Sequence, residues 1–259
     1  MPGKPCIDAA QRGWGTRQAR APSVYSQSAR RYRALLAFAG LAVLPASAAM
    51  AQAPAGAAAT VVLDAAHGGS ETGTLLSSQL LEKNLVLDLS IRLRSALTAR
   101  GMHVVTTREA DTNPSADARA GEANHARPTA CVVLHATASG SGVHIYTSSL
   151  EQAAPVTQGL VPWSTAGAPF ATDSLKLASD ISAALGAAAL PFTLGRVRLA
   201  PLDALRCPAV AVEVAPLRAT THGNRPAAID DAAYQGRIVD ALAAALLQWT
   251  GEHPSVAAQ

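Results

Sequence analysis

Two histidines and two glutamates are candidates for metal binding and catalysis, because they lie at or near the ends of apolar runs or at the start of a helical pattern. His67 follows a short apolar run and His135 ends another. Glu82 opens a helical pattern, and Glu213 lies inside the apolar run PAVAVEV. Two imidazoles and one carboxylate suit Zn²⁺, and three protein ligands leave a position for water, as in hydrolytic zinc sites. We therefore take His67, Glu82 and His135 as candidate zinc ligands. Hydrolysis also needs a group that moves a proton, and Glu213 is the candidate acid/base.

Residue types and spacing alone leave a second interpretation open. Glu82 lies 15 residues after His67, and His135 lies 53 residues after Glu82, without a compact motif such as HExxH. His67 could cap a turn, His135 could be a satisfied core histidine, and Glu82 could stabilise a helix N-terminus. Glu213 fits this interpretation less well, because burying a carboxylate inside an apolar strand costs free energy unless the group is paired or has a function.

The surrounding pattern predicts a sheet and helices that would bring these residues together. Apolar runs predict strands at 61–63, 102–107, 130–134, 142–147, 196–199 and 208–214. Helical spacing predicts helices from residue 82 to about 100 and at 116–124, 174–189 and 231–249. The alternation predicts a three-layer α/β domain, in which strand ends and helix starts meet at one edge of the sheet. His103 and His144 lie inside predicted strands, and we interpret them as ordinary sheet positions.

The basic charge of the chain is concentrated near its beginning. The whole chain has 21 Lys and Arg against 18 Asp and Glu, a net charge of +3. Residues 1–51 hold seven of the basic and one of the acidic residues, so the remainder has a net charge of −3. This distribution argues against nucleic acid as a partner. A hydrophobic content of 49% with 15% charged residues excludes a disordered or coiled-coil chain.

The first 51 residues have the pattern of a secretory signal peptide with a long basic region. Three arginines precede an uncharged stretch of about ten residues and a small-residue site that ends at Ala51. We predict cleavage there, which would leave no stable membrane span, although a retained anchor is an alternative. Both interpretations export the domain to the periplasm or cell envelope. The predicted organisation is a signal peptide at 1–51, a flexible lead-in at 52–60, a catalytic domain at 61–250 and a tail at 251–259.

Cleavage would leave two cysteines, Cys131 and Cys207, each near an apolar strand-like run. In an oxidising compartment they could form a disulfide. Two buried free thiols are the alternative, because cysteine is among the most buried residue types.

Seven segments, taken in order, resemble the zinc-dependent N-acetylmuramoyl-L-alanine amidases, a family of cell-wall hydrolases. They are VVLDAAHGG, LEKNLVLDLSIRLRSAL, TTRE, ARAGEAN, VVLHA, GVHIY and PAVAVEV, and the resemblance covers roughly residues 61–249. The resemblance implies that His67, Glu82 and His135 bind Zn²⁺ and that Glu213 is the catalytic acid/base. It also implies a mixed six-stranded sheet flanked by helices on both faces. The implied reaction cleaves the amide between N-acetylmuramic acid and L-alanine of the peptidoglycan stem peptide.

The sequence departs from the family pattern in three loops. Asp64 is followed by two alanines instead of Pro-Gly, and Ala136 is followed by Thr137 instead of Asn. The stretch after Glu213 lacks a Gly-Phe-x-Ser-Asn-like sequence. These changes alter the surroundings of the site, whereas the four chemical residues are present.

Regulated members of the family carry a helix that plugs the zinc. The corresponding segment here, Leu150–Phe170, is short and contains three prolines, which disfavour a helix. We therefore expect a site that is open and for which no activator protein is required. We also expect the protein to be a monomer.

Two other functions remain compatible with the residues. A zinc peptidase that cuts within the stem peptide or its crosslinks would use the same metal chemistry. A non-catalytic peptidoglycan-binding protein on the same scaffold would explain the altered loops.

Overall fold

The computed structural model describes residues 58–155, 160–219 and 225–253. The predicted signal peptide, residues 52–57 of the lead-in and residues 254–259 of the tail lie outside this part of the chain. The secondary structure elements, in chain order, are β1 (Thr60–Ala65), β2 (Leu75–Ser77), β3 (Leu80–Leu81), α1 (Glu82–Thr98), β4 (His103–Thr106), α2 (Ala116–His125), β5 (Ala130–Ala136), β6 (Val143–Ser148), α3 (Ala171–Ala187), β7 (Phe192–Val197), β8 (Ala209–Val214) and α4 (Ala232–Glu252).

Six of the strands form one mixed sheet in the order β4-β1-β5-β8-β6-β7. Strands β4, β1, β5 and β8 run parallel to one another. Strand β6 is antiparallel to β8, and β7 pairs in parallel with β6. This arrangement confirms the α/β fold and the mixed six-stranded sheet. The short strands β2 and β3 form a separate antiparallel hairpin that leads directly into α1.

Each face of the sheet packs against its own apolar core. The sheet is therefore the middle one of three layers. On one face, residues such as Val61, Leu134 and Val212 pack against α1, α3 and α4. Four leucines at helical spacing on α1, Leu85, Leu89, Leu93 and Leu97, are at most 3% exposed and belong to this core. On the other face a smaller core joins strand residues to α2 and to the segment 202–207. Because side chains alternate along a strand, neighbouring residues serve different cores.

Cys131 and Cys207 form a disulfide that joins β5 to the segment just before β8. Both residues are buried in the smaller core. The disulfide therefore decides between the two alternatives left open by the sequence. Disulfides persist in oxidising compartments, so this bond indicates an extracytoplasmic location.

The structure differs from the predicted elements at one edge of the sheet and at the ends of two elements. Strand β7 covers Phe192–Val197, whereas a strand was expected at 196–199. The described parts of the segment 150–170, which are residues 150–155 and 160–170, form a loop, as expected, with two short 3₁₀ turns, Trp163–Thr165 and Ala168–Phe170. Strand β1 begins one residue before the predicted strand at 61–63, and helix α4 ends three residues after the predicted helix at 231–249. Among the described residues, no helix combines the length and the hydropathy needed to cross a membrane.

Candidate metal centre

His67 is positioned by a tight loop that follows β1. The residue has a left-handed backbone with φ of 61°, and Gly68 and Gly69 also have positive φ values, of 134° and 53°. Glycine is the residue that adopts such angles without strain. A Cβ atom on Gly68 would lie 1.9 Å from the carbonyl oxygen of Thr112, so only glycine fits there. The two glycines of the His-Gly-Gly sequence thus allow the chain to turn sharply beside the imidazole.

Glu82 is placed by the hairpin of β2 and β3, because it is the first residue of the helix that follows. Its backbone N–H donates to the carbonyl of Thr74 at 2.9 Å. Its carboxylate accepts hydrogen bonds from two backbone N–H groups, that of Thr74 to Oε2 at 2.9 Å and that of Ala136 to Oε1 at 3.1 Å. The residue is only 3% exposed. The carboxylate is therefore held between the hairpin and the end of β5.

The three candidate ligands converge on the carboxylate of Glu82. Its Oε1 lies 3.1 Å from His67 Nε2 and 2.9 Å from His135 Nδ1. One donor atom from each residue lies within 4.8 Å of the other two. Two imidazole nitrogens and one carboxylate oxygen at this spacing fit a zinc site. The structure thus brings together the three residues that the sequence singled out as ligands.

The carboxylate of Glu82 is ionised at neutral pH. Burial by itself raises the pKa of Glu82. The hydrogen bond from His135, the backbone hydrogen bonds of Thr74 and Ala136 and the charge of His67 act in the opposite direction and together outweigh burial, so the pKa is lowered to about 2. A carboxylate must be deprotonated to bind a metal ion. The surroundings of Glu82 therefore keep it ready for coordination.

His67 also has a carboxylate partner on the other side of its ring. Its Nδ1 lies 3.1 Å from Glu71 Oε1, while its Nε2 faces Glu82. Metal-binding histidines commonly donate the second ring N–H to a carboxylate, which fixes the ring orientation and the tautomer. Glu71 is in the position for this role, and sequence reasoning did not single it out.

Two buried arginines hold the loop in which two alanines replace the usual Pro-Gly. The Arg108 guanidinium donates to the carbonyls of Ala65 and Ala66. The Arg119 guanidinium donates to the carbonyl of His67 at 2.7 Å and forms a buried ion pair with Asp64 at 2.8 Å. Sequence reasoning missed both arginines, although they lie in the segments TTRE and ARAGEAN that carry the resemblance.

Glu213 lies beside the ligand cluster rather than in it. It occupies the position of β8 paired with His135 on β5, so both side chains stand on the same face of the sheet. On its other side, Glu213 is paired with His144 of β6. Glu213 Oε1 and His144 Nδ1 are 2.7 Å apart. His144 was interpreted as an ordinary sheet position, but it contacts the candidate acid/base.

A cavity of about 260 Å³ opens beside the cluster and offers space for a substrate. Its lining includes His67, Glu71 and His135, with Arg119 beneath them. The remaining walls are the loop 113–116 and the segment 199–201. A reacting group in this cavity would lie next to two of the three candidate ligands, His67 and His135.

Comparison with known proteins places these features in one family. The model of the Amidase_3 family, described as N-acetylmuramoyl-L-alanine amidase, matches residues 61–248. A curated N-acetylmuramoyl-L-alanine amidase from Mycobacterium tuberculosis is 39% identical over 79 residues, which are 29% of this chain and 33% of that protein. The match thus spans about a third of the length of the curated relative.

Solved structures with this fold include two amidases of low sequence identity. The N-acetylmuramyl-L-alanine amidase of Mycobacterium smegmatis has a TM-score of 0.58 and 21% identity over 75% of this chain and 97% of that chain. An N-acetylmuramoyl-L-alanine amidase of Clostridium difficile 630 has a TM-score of 0.56 and 22% identity over 75% of this chain and 97% of that chain. At this level of identity the two structures establish the fold.

Proposed function

The chain belongs to the Amidase_3 family of N-acetylmuramoyl-L-alanine amidases, and from this premise we propose that it hydrolyses the amide bond between N-acetylmuramic acid and L-alanine of peptidoglycan. The observation that carries the proposal is the cluster of His67, Glu82 and His135, whose donor atoms lie within 4.8 Å of one another. A decayed binding protein would have no need to keep this cluster together with Glu213.

His67, Glu82 and His135 would hold Zn²⁺. A zinc ion bound there supplies a Lewis acid that polarises the scissile carbonyl and makes water a better nucleophile at neutral pH. The chain's own contribution is to keep Glu82 ionised through its three hydrogen bonds and to orient His67 through Glu71. These contacts prepare the ligands before a metal ion arrives.

Glu213 is the proposed acid/base. It takes a proton from the attacking water and returns it to the leaving amine of L-alanine, because an amine is a poor leaving group without that proton. Its side chain is 29% exposed and stands beside His135 on the same face of the sheet. Within the described residues, its Oε1 accepts from His144 and its Oε2 has no hydrogen bond, which leaves Oε2 to exchange protons with the substrate.

We propose that the protein acts in the periplasm or cell envelope as a monomer and without an activator. The disulfide supports action outside the cytoplasm. Independence from an activator is supported by the described parts of 150–170, whose helical segments are two 3₁₀ turns of three residues each rather than the plugging helix of regulated family members. These turns are too short to form such a helix.

The test is digestion of purified sacculi by the zinc-loaded protein alone, followed by mass spectrometry of the soluble products. The proposal predicts intact stem peptides with a free L-alanine N-terminus and peptide-free glycan. Glu213→Gln should lower the rate about 10²–10⁴-fold, since it removes the acid/base. His103→Gln, which changes a histidine on β4, should leave the rate unchanged.

Three other outcomes would each contradict part of the proposal. Shortened stem peptides would identify a zinc peptidase instead. Binding to sacculi without cleavage, with no zinc retained and no difference from Glu213→Gln, would identify a non-catalytic binding protein. Digestion only after a cell-envelope extract is added would overturn independence from an activator.

A further inference from the structure

A histidine–carboxylate pair lies on the strands next to the ligand His135. Positions 135, 213 and 144 are paired neighbours across β5, β8 and β6, so the three side chains form a row on one face of the sheet. His144 Nδ1 is 2.7 Å from Glu213 Oε1. The His144 side chain is only 14% exposed, whereas that of Glu213 is 29% exposed. The pair is thus more enclosed at the imidazole than at the carboxylate.

The ring of His144 is held in place by its surroundings. Gly140 packs its backbone against the ring, because a Cβ atom on Gly140 would lie 2.5 Å from His144 Cε1 and 2.8 Å from Nε2. Gly140 has a φ of 80°, an angle that suits glycine. The ring of Tyr146 stands edge-on at a centroid distance of 6.5 Å. The imidazole therefore has little freedom to turn away from Glu213.

The proposed role of Glu213 as a base sets the direction of this hydrogen bond. An ionised carboxylate only accepts hydrogen bonds, so His144 Nδ1 carries the proton and donates it to Oε1. Hydrogen bonds to charged groups at this length are stronger than those between neutral groups. With Oε1 held, rotation of the carboxylate is restricted and Oε2 keeps one orientation. A proton-transfer group must be placed within hydrogen-bond reach of its substrate, and small displacements are costly to the rate.

We propose that His144 is a positioning residue that holds the carboxylate of Glu213 in the orientation needed for proton transfer. This inference rests on the proposed function, since it assigns His144 a role in the same reaction. His144 acts through Glu213: among the described hydrogen bonds its ring contacts Glu213 and none of the three candidate metal ligands. Removing its N–H should therefore change catalysis without changing zinc binding.

The test compares His144→Leu with His144→Asn. Leucine fills a similar space but cannot donate, whereas the asparagine amide can place an N–H near the position of Nδ1. Activity on a soluble muropeptide gives kcat and KM, and zinc content and Tm are measured on the same samples. His144→Leu should lower kcat by about 10–100-fold with KM changed by less than about twofold. His144→Asn should recover part of that loss. His103→Leu, on strand β4, is the matched control and should behave like the wild type.

A double variant separates positioning from a merely structural role. In Glu213→Gln protein, the additional change His144→Leu should lower kcat no further, because the carboxylate that His144 positions is already gone. A further loss in that background would overturn the proposal. So would a kcat of His144→Leu equal to that of His103→Leu, or a loss that follows zinc content rather than the N–H donor.

The result also separates this inference from the function on which it depends. If the wild-type protein releases no stem peptides from sacculi or muropeptides, the proposed function fails and the role of His144 fails with it. If the wild type is active and His144→Leu is equally active, only the role of His144 is wrong. If His144→Leu does not fold, Gly140→Ala takes its place, because a Cβ atom on residue 140 would displace the His144 ring. Its kcat is then compared with that of His144→Asn and of the wild type.

Discussion

Replacing Arg119 with methionine removes the guanidinium that ties α2 to the loop of His67. Arg119 is 5% exposed and donates to Asp64 Oδ1 at 2.8 Å, to the carbonyl of Ala65 at 2.7 Å and to the carbonyl of His67 at 2.7 Å. Its Nε donates to the carbonyl of Pro114 at 2.9 Å. Methionine keeps much of the apolar stem but donates no hydrogen bond. The substitution therefore removes the charge and all four bonds with little change in volume.

The largest cost is the charge left behind on Asp64. Its side chain is 4% exposed, and its Oδ2 has no hydrogen-bond partner among the described residues. Without the guanidinium, the hydroxyl of Thr107 is the remaining described donor to this carboxylate. Breaking a buried ion pair from one side costs about 3–5 kcal/mol. For a domain of this size each kcal/mol lowers Tm by roughly 2–4 °C, so we expect Arg119→Met to lower Tm by about 6–20 °C.

Thermal unfolding followed by circular dichroism measures this change on metal-free protein. The matched control is Arg92→Met. Arg92 forms an ion pair with Asp88 at 2.7 Å, a similar distance, but the side chains of Arg92 and Asp88 are 40% and 46% exposed. An exposed pair of this kind on one helix is worth about 0.3–0.5 kcal/mol, so its loss should lower Tm by less than about 2 °C. A second variant, Asp64→Asn with Arg119→Met, removes the stranded charge and should be more stable than Arg119→Met alone.

Two results would refute this reasoning. If Arg119→Met lowers Tm no more than Arg92→Met, the buried pair does not stabilise the loop. If adding Asp64→Asn brings no recovery, the cost lies in the unpaired carbonyls and not in the stranded charge. The two variants thus separate the charge from the hydrogen bonds.

Three further changes have expected outcomes. Gly73→Ala would place a Cβ atom 2.6 Å from Glu82 Oε2 and should weaken zinc binding about tenfold or more in a competition titration, whereas Gly101→Ala, with a φ of 82° and no described neighbour within 4 Å, should not. The pKa of Glu82 is lowered to about 2 from 4.5, so its contribution to the stability of metal-free protein is complete above pH 4.5 and is lost as the pH falls towards 2. Urea unfolding at pH 5 and pH 2.5 should show a larger loss for wild type than for Glu82→Gln, and equal losses would contradict this. The double change Cys131→Ala and Cys207→Ala should lower the free energy of unfolding by about 2–4 kcal/mol, because the disulfide closes a loop with a sequence separation of 76. A reducing agent should then lower the Tm of wild type but not that of the double variant.

The parts of the fold that were predictable from sequence are those whose burial leaves a local pattern. Helix α1 shows a leucine stripe because one of its faces packs against the sheet. Strands β1, β5 and β8 read as continuous apolar runs because both faces of the central strands are covered. Strand β7 was misplaced because it is an edge strand with exposed residues at 192–194. The hairpin of β2 and β3 was missed because five residues are too few to show a pattern.

The candidate site was predictable only in part, and for a different reason. The candidate zinc ligands were singled out by their types and by the resemblance, since their spacing of 15 and 53 residues has no meaning until the chain folds. His144 could not be assigned, because its contact with Glu213 depends on the antiparallel pairing of β6 with β8. Arg108 and Arg119 were missed because arginine is rarely fully buried, and nothing in their own segments shows that a loop elsewhere lacks donors.

The same alternation that builds the large core also aligns the chemical groups. Asp64, His135, Glu213 and His144 lie on four consecutive strands of the sheet, all on the face opposite the core that contains Val212. A shift of β8 by one residue would move the glutamate into that core and bring a valine to the site. Such a shift would bury a charge and expose apolar surface at once. The burial of the valines therefore stabilises the register that sets Glu213 between a candidate zinc ligand, His135, and its own hydrogen-bond partner, His144.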